Sequence, residues 1–181
     1  MFDLLLDADS FNCLDSFGFL GVVAALPNAD VRIRLTERVA KMELNSHQDL
    51  VAALQSTGRI EIGRVLAGTV AYKKYNEYRR RPRVDRGEAE SIAWAEEGAD
   101  SDTLLYVSND KGARDLARGS GFEATDMFGL MVRLVEAGFF PLEALRSALL
   151  VWEDKRTGHC RPRGFKSFEE HYALVAATLA D

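Results

Sequence analysis

The sequence predicts an α/β fold, a three-layer sandwich with a central, mostly parallel sheet of about five strands. Residues 4–6 and 103–108 are short apolar runs with no polar alternation, which is typical of strands buried on both faces. Segments of helical periodicity separate these runs from the other predicted strands. An alternation of strands and helices indicates a parallel sheet covered by helices on both sides.

Three further strands complete the predicted sheet. Residues 31–35 alternate apolar and charged side chains, which predicts a strand with one solvated face near a sheet edge. Residues 60–62 (IEI) and 121–124 (GFEA) predict two short strands.

Capping residues and helix breakers mark the predicted helices. Ser10 can cap the first helix, Thr36 can cap the helix that follows the 31–35 strand, and Pro82 ends a long polar helix. The helices are predicted over residues 11–17, 20–26, 37–44, 48–55, 67–80, 87–97, 113–118 and from 126 to about 138.

The chain is long enough for one domain with an appended segment. We expect the α/β domain to cover residues 1–140. Pro141 suits the first position of a further helix, and Ser167 can cap a last helix after a basic, loop-like stretch over residues 157–167. Residues 141–181 are therefore expected to be a helical extension packed on the same domain.

Composition limits the function classes. The net charge of −5 argues against a protein that coats nucleic acid, although it allows a local basic patch. Residues 1–3 carry acid rather than base, so no signal peptide is expected, and the apolar runs are too short to span a membrane. Cys13 and Cys160 lack metal-ligand spacing, which predicts two free thiols in a reduced, cytoplasmic protein.

Two of the predicted strands end in an acid. Asp7 follows the first buried run, and Asp110 follows the 103–108 strand after Asn109. Because the carboxyl ends of parallel strands meet at one edge of a sheet, these carboxylates are expected to converge if their strands are neighbours. An acid at a strand end is also a common turn residue, and this alternative stays open for each Asp alone.

Two glutamates are candidates to join them. On the 87–97 helix, Glu88 borders the apolar arc, whereas Glu90 falls on the opposite side. Glu43 borders the core side of the 37–44 helix, which we expect Val39 and Met42 to form. Glu88 can equally be an acid that favours a helix N-terminus, and Glu43 can be an ordinary helix glutamate.

Clustered carboxylates repel one another and raise each other's pKa, and a hard divalent cation removes that penalty. Mg²⁺ prefers oxygen ligands and keeps several waters. A metal-bound water can attack a phosphodiester while the ion stabilises the leaving oxygen. The hypothesis is therefore a metal site for hydrolysis, built from Asp7, Glu43, Glu88 and Asp110.

Several segments, in order, resemble the PIN-domain ribonucleases, which include the VapC toxins of toxin–antitoxin pairs. Residues 4–10 (LLLDADS) are similar to the opening strand and first acid, and residues 39–44 (VAKMEL) to the second-acid helix. Residues 85–93 (DRGEAESIA) are similar to the third-acid segment of one subgroup. Residues 104–110 (LLYVSND), followed by Ala113 and Arg114, are similar to the fourth, and residues 125–130 (TDMFGL) to the segment after it.

This resemblance covers roughly residues 3–140 and implies a PIN-like fold whose four acids bind Mg²⁺ or Mn²⁺ and hydrolyse RNA. Ser108 matches a position where a small hydroxyl residue positions the site. Asp9 departs from the pattern and adds a charge beside the first acid, and the segment after Pro141 is a second departure. The resemblance also implies a toxin role, an antitoxin partner and a homodimer.

A basic stretch precedes Glu88 and is interleaved with Tyr72, Tyr75 and Tyr78. Basic side chains can hold a phosphate backbone, and tyrosines can stack on unpaired bases. The alternatives are a solvated helix face with its tyrosines packed beneath, or a dock for an acidic antitoxin segment. The candidate RNA-binding residues are Lys73, Lys74, Arg79, Arg80, Arg81, Arg83 and Arg86.

Two other functions remain open. Asp7-Ala8-Asp9 after an apolar strand suits a phosphatase of the haloacid dehalogenase type, with Asp7 as nucleophile and Asp9 as general acid, although the spacing to Asp110 and Lys111 fits poorly. The third hypothesis is a catalytically silent PIN-like scaffold that binds RNA or protein.

Overall fold

The computed structural model describes residues 2–98, 103–153, 160–162 and 164–180. Five strands form one sheet in the order β3-β2-β1-β4-β5, and every neighbouring pair is parallel. Helices cover both faces, so the predicted fold class is confirmed. The strands are β1 (Phe2–Leu6), β2 (Val31–Thr36), β3 (Ile60–Gly63), β4 (Leu104–Val107) and β5 (Glu123–Thr125).

Alternate residues of β1 divide the core into two parts. Leu4 and Leu6 belong to the larger cluster and Leu5 to the smaller one, because successive strand residues point to opposite faces. α4, α5 and α6 cover the Leu5 face. The helices are α1 (Ala8–Ser16), α2 (Phe19–Ala25), α3 (Gln48–Ser56), α4 (Val70–Tyr78), α5 (Arg86–Gly98), α6 (Lys111–Gly119), α7 (Met127–Glu136), α8 (Leu142–Leu149) and α9 (Phe168–Ala180).

The segment after Pro141 shares the larger core. Leu145, Leu149 and Trp152 are fully buried in it, and Phe165 and Phe168 pack beside them. The extension is therefore packed on the same body as the sheet. Residues 154–159 and 163 of the basic stretch predicted as a loop lie outside the described residues.

The first helix begins earlier than predicted. Asp7, not Ser10, is the N-cap of α1, and its Oδ1 accepts a hydrogen bond from the Ser10 N–H at 2.6 Å. Ser10 lies inside the first turn and is fully buried. An extended aspartate that directly follows a strand satisfies the free N–H groups of the next helix, so Asp7 has this capping role as well as its place at the strand end.

The predicted 37–44 helix is a different structure. Thr36 ends β2, with its buried hydroxyl 3.3 Å from that of Ser91, rather than capping a helix. Residues Val39–Glu43 form a π-helical turn, closed by a hydrogen bond from Leu44 N–H to Val39 O. Met42, expected on the core side, is 61% exposed, because the wider turn changes the helical phase used in the prediction.

The prediction of two free thiols is wrong. Cys13 on α1 and Cys160 form a disulfide that joins positions 147 residues apart, with their Cα atoms 5.9 Å apart. The spacing of the two cysteines in the sequence does not predict this disulfide, because the bond depends on how the extension folds back onto α1. Because both cysteines are in this disulfide, free thiols no longer support the expectation of a reducing compartment.

Among the helices of the described residues, none combines the length and apolar character needed to cross a membrane.

Candidate metal centre and cleft

The site lies where the order of the sheet reverses. From β1 the chain proceeds outward through β2 and β3, then returns to the other side of β1 with β4. β1 and β4 are paired directly, with Leu6 opposite Val107. A crevice forms at the carboxyl ends of the strands at such a switch point, so Asp7 and Asp110 follow neighbouring strands at the same edge, as the sequence argument required.

Ser108 lies between these two aspartates. Its Oγ accepts a hydrogen bond from the Asp110 N–H at 3.1 Å. Asp7 is 4% exposed, and this burial raises the pKa of its carboxyl to about 6, with the Ser108 hydroxyl opposing the shift. One small hydroxyl side chain therefore contacts the backbone of one acid and stabilises the charged form of the other.

Asp110 has the same local role as Asp7. It is the N-cap of α6, and its Oδ1 accepts hydrogen bonds from the N–H groups of Gly112 and Ala113. Unlike Asp7 it is exposed to solvent. The two aspartates each hold a helix N-terminus at the same edge of the sheet, one in the interior and one at the surface.

Glu88 is fixed by a reciprocal pair of hydrogen bonds at the start of α5. The Asp85 N–H donates to Glu88 Oε2 and the Glu88 N–H donates to Asp85 Oδ1, both at 2.8 Å. This capping-box arrangement holds both carboxyl groups at the helix start. Glu88 is 6% exposed, and burial raises its pKa to about 8, with further increases from the nearby charges of Asp85, Asp7 and Asp110.

Glu43 reaches the same region from the π-helical turn. Its carboxyl group occupies the space beside Gly87 on α5, where an ideal Cβ would collide with both carboxylate oxygens. Burial raises the pKa of Glu43 to about 7, and the charges of Asp85 and Asp7 raise it further, while Arg38 opposes them. The π turn and Gly87 together allow Glu43 to lie beside the other acids.

Glu90 is not the solvated residue that helical phase predicted. It is half-buried and accepts a hydrogen bond from the Arg38 N–H at 3.0 Å. Glu90 therefore holds the start of the π turn, and its charge adds to the field at Glu43.

The acids form a group of like charges in which Arg38 acts on Glu43 from a distance and no direct ion pair is made. Among the described residues, no ion pair involves any of Asp7, Glu43, Asp85, Glu88 or Asp110. The carboxyl groups affect each other's pKa, which places them within electrostatic range of one another. Such a group is stable only when it takes up protons or a cation.

Two hydroxyl groups near Asp7 suit a hydrated ion. The hydroxyls of Ser10 and Tyr106 are buried, and within the described part of the chain neither makes a hydrogen bond of good geometry, although the Ser10 hydroxyl is close enough to Asp7, and the Ser108 hydroxyl to Tyr106, to lower their pKa values. Burial and the charges of Asp7 and Glu88 raise the pKa of Tyr106 well above its ordinary value, so it stays a neutral donor. Buried polar groups are normally satisfied by protein or water, so these hydroxyls suit the waters of a bound ion.

The acids lie near one another, but their side chains are not arranged as a metal coordination shell. No three His, Cys, Asp or Glu side chains of the described residues stand close enough together to hold an ion as they are placed. Asp7 and Asp110 each use an oxygen in a helix cap. The donor set, all oxygen, fits Mg²⁺ or Mn²⁺, and coordination by several of these acids requires rotation of their side chains.

A polar cleft of about 1050 Å³ opens beside Asp110. It is bordered by α1, the N-terminus of α6, the loop at Arg83 and the segment at Cys160. Asp9, an exposed residue in the first turn of α1, lies on the wall of this cleft, so its negative charge is added to that of Asp110 there. Its lining residues are Asp9, Asn12, Cys13, Arg83, Asn109, Asp110, Lys111, Gly112, Arg114, Asp115, Asp126, Cys160, Arg161 and Pro162.

The basic stretch is divided by the fold. Tyr75 and Tyr78 are buried against α5, which leaves only Tyr72 partly exposed for base stacking. Lys74 pairs with Glu96 at 2.8 Å and Arg81 with Glu77 at 3.0 Å. Lys73, Arg79, Arg80 and Arg86 are exposed, and of the seven candidates only Arg83 lines the cleft.

Sequence reasoning missed three residues of this region. The signal for Asp85 is its capping-box spacing to Glu88. Tyr106 pairs with Leu5 in the sheet, and strand alternation places both on the face that α5, with Glu88, covers. Nothing in the sequence placed Arg161 beside the cleft, because the disulfide that brings it there was not predicted.

Comparison with known proteins adds little beyond the fold. A scan of protein-family models finds no match, and a search of curated proteins finds no significant relative. Among solved structures, the chain is similar to a PilT N-terminus domain protein from the hyperthermophilic archaeon Sulfolobus solfataricus P2. The sequences are 14% identical, the match covers 82% of this chain and 94% of that chain, and the TM-score is 0.44. At this level of similarity, function has to be argued from the residues of this chain.

Proposed function

We propose that this chain is a metal-dependent endoribonuclease that hydrolyses RNA phosphodiester bonds at the carboxylate group formed by Asp7, Glu43, Glu88 and Asp110. One observation carries the proposal. At the switch point of a parallel sheet, Asp7, Glu43 and Glu88 have raised pKa values, none of them has an ion-pair partner among the described residues, and Asp110 beside them lines an open polar cleft.

A divalent ion is needed because the substrate is also an anion. A phosphodiester approaching several carboxylates is repelled unless a cation lies between them. Mg²⁺ or Mn²⁺ bound by these carboxylates would supply the positive charge and activate a water. The chain's own residues hold the arrangement, since Ser108 positions Asp110, Asp85 positions Glu88, and Gly87 leaves room for Glu43.

The first test is cleavage of single-stranded RNA of mixed sequence by the purified protein. We expect cleavage with Mg²⁺ or Mn²⁺, none with EDTA, and loss in Asp7→Asn, a variant that keeps the shape and capping ability of the side chain. Asp49→Asn, on α3 outside this group, is the matched control and should cleave as the wild type does. RNA left intact by the wild type in both metals would contradict the proposal.

The two alternative functions give different results. A phosphatase of the haloacid dehalogenase type would hydrolyse small phosphomonoesters and form a phosphorylated Asp7. A silent scaffold would bind RNA or protein without turnover. The phosphatase lacks support at the site, since Asp7 caps α1 by accepting from the Ser10 N–H and none of the lysine ion pairs among the described residues involves it.

The toxin role, an antitoxin partner and a homodimer belong to the same proposal and rest on the sequence resemblance. Co-expression with the product of a neighbouring small gene tests the first two, through co-purification and inhibition of cleavage. Light scattering of the purified chain tests the dimer.

A further inference from the structure

The cleft has two strained positions on its walls. Among the described non-glycine residues, only Arg83 and Cys160 have a positive φ, of 66° and 59°. Side chains disfavour this left-handed conformation, and it persists where the surrounding structure holds it. Both residues line the cleft, so the fold constrains its walls on two sides.

The disulfide fixes one of these walls. Cys160 is bonded to Cys13 on α1, and the next residue, Arg161, therefore lies at the cleft. The Cys13 sulfur also accepts a hydrogen bond from the Asn109 side chain at 3.1 Å. Asn109 directly precedes Asp110, so the same covalent link contacts the strand end that carries a candidate metal ligand.

Arg161 is a cation of this wall for which the described residues offer no ion pair. Its guanidinium lies 5.1 Å above the Phe165 ring, and Nη2 donates to the Phe165 carbonyl at 3.0 Å. Within the described residues its Nε is buried without a hydrogen-bond partner, and no carboxylate pairs with it. Of the other basic residues of the cleft, Lys111 pairs with Asp115, and Arg114, like Arg161, donates to a backbone carbonyl, that of Ser108.

Arg83 lies next to Asp110 on the same cleft. Its carbonyl packs against Gly112, where a Cβ would lie 2.6 Å from that oxygen and 2.9 Å from Asp110 Oδ1. This close packing places the Arg83 backbone next to Asp110. The exposed Arg83 side chain, for which the described residues offer no ion-pair partner, extends from a fixed point.

We propose that Arg83 and Arg161 form a phosphate-binding subsite for the RNA strand beside the acids, and that the Cys13–Cys160 disulfide holds Arg161 in it. This rests on the proposed ribonuclease function and adds the residues that hold the substrate. Two guanidiniums that line the same cleft as Asp110 can each hydrogen-bond a phosphate of a strand that lies in it. The cleft then replaces the α4 stretch as the main path of the substrate.

The subsite is redox-sensitive. A dithiol reductant gives two electrons and two protons to the Cys13–Cys160 bond, which yields two cysteine thiols and the cyclic disulfide of the reductant. Cys160 and Arg161 then lose their covalent link to α1. Reduction is therefore expected to weaken RNA binding without removing any charge from the protein.

Binding of a fluorescein-labelled single-stranded RNA, measured by anisotropy in EDTA, tests the subsite without turnover. We expect oxidised Arg83→Ala and Arg161→Ala to bind roughly fivefold more weakly than the wild type, as for loss of one exposed charge contact. Each should also lower the slope of log K against log salt by about 0.7. Arg146→Ala, which removes one positive charge from α8 outside the cleft, is the control. Arg161→Ala binding no more weakly than Arg146→Ala overturns the proposal, as does a wild type that binds no RNA.

Dithiothreitol tests the role of the disulfide. Reduction should weaken wild-type binding to the level of Arg161→Ala and leave that variant unchanged. Because Arg161→Ala keeps both cysteines, this comparison does not depend on a cysteine variant that folds. Equal binding by oxidised and reduced wild type overturns the link to the disulfide.

The binding assay and the cleavage assay test two separate proposals, and either proposal can be refuted without the other. Arg161-dependent binding by a protein that cleaves no RNA refutes the ribonuclease and keeps the subsite. Cleavage by the wild type with unchanged binding in Arg161→Ala refutes the subsite and keeps the ribonuclease.

Discussion

Two buried aspartates at the opposite ends of β1 differ in the groups that surround their carboxylates. Asp3 and Asp7 are 3% and 4% exposed. Asp3 pairs with Arg34 of the neighbouring strand β2 at 2.7 Å, and Arg34 also lies 3.8 Å from Glu61. Asp7 has a helix N–H group, a serine hydroxyl and other acids around it. At one end of β1 an arginine pairs with the buried acid, and at the other end several acids lie together without an ion pair among the described residues. We infer that Asp3 contributes to stability and that Asp7 belongs to the proposed functional site.

The largest effects should separate these two aspartates. Asp3→Asn removes the closer of the two acids that pair with Arg34 among the described residues and leaves Glu61 at 3.8 Å, and we expect it to cost about 3 kcal/mol of unfolding free energy, as when one partner of a buried ion pair is removed. Asp7→Asn removes a charge that has no cation, so the metal-free variant should be at least as stable as the wild type. RNA cleavage should fall by roughly 10³-fold or more in Asp7→Asn.

Thermal melts in EDTA and cleavage rates measure both effects on the same two proteins. A drop in melting temperature of Asp7→Asn as large as that of Asp3→Asn would show that Asp7 is structural, and the contrast between the ends of β1 would be lost.

The next effect is on the pH dependence of stability. The pKa is raised from 3.8 to about 6 for Asp7, from 4.5 to about 7 for Glu43 and from 4.5 to about 8 for Glu88. A carboxyl whose pKa is higher in the folded state binds its proton more tightly there, so the folded state loses this advantage as pH rises. The metal-free protein should become less stable between about pH 4 and pH 8.

Bound cation should reverse this loss. Mg²⁺ replaces the protons, so the increase in melting temperature that it causes should be larger at pH 8 than at pH 6. Glu88→Gln should flatten the pH profile in EDTA. A stability that rises from pH 5 to pH 8 without metal would mean that the acids are compensated by groups other than those described.

A smaller effect tests how Glu43 is placed. Gly87→Ala puts a Cβ where the Glu43 carboxyl group lies, and we expect cleavage to fall roughly 10- to 100-fold, as for loss of a group that positions a metal ligand. Gly98→Ala is a matched control at the other end of α5, where a Cβ meets nothing within 4 Å. Circular dichroism should show both variants folded. Equal activity of the two would remove Glu43 from the site.

The sequence predicted the sheet and its acidic edge because both depend on local signals. Apolar runs locate β1 and β4, and parallel pairing brings their ends together. It could not predict the π turn, since helical phase assumes 3.6 residues per turn, nor Asp7 as a cap, because Ser10 matched the same preference. The disulfide and Arg161 depend on contacts across the whole chain, which no local pattern contains. Asp3 and Asp7 look alike in the sequence, and only the position of Arg34 on β2 distinguishes them.

The smallest effect concerns Tyr106, whose buried hydroxyl has no partner among the described residues. Tyr106→Phe removes only that oxygen, so the stability in EDTA should change by less than about 0.5 kcal/mol, or rise slightly, because no protein hydrogen bond is lost. If the hydroxyl donates to a water of the bound ion, the Mg²⁺ concentration that supports half-maximal cleavage should rise by roughly 10-fold. Titration of Mg²⁺ in the cleavage assay measures this shift, and Tyr72→Phe, whose ring lies on the exposed side of α4, is the control. An unchanged Mg²⁺ requirement would mean that Tyr106, like Asp3, only stabilises the sheet. The residues that respond to the metal would then be the acids and Ser108.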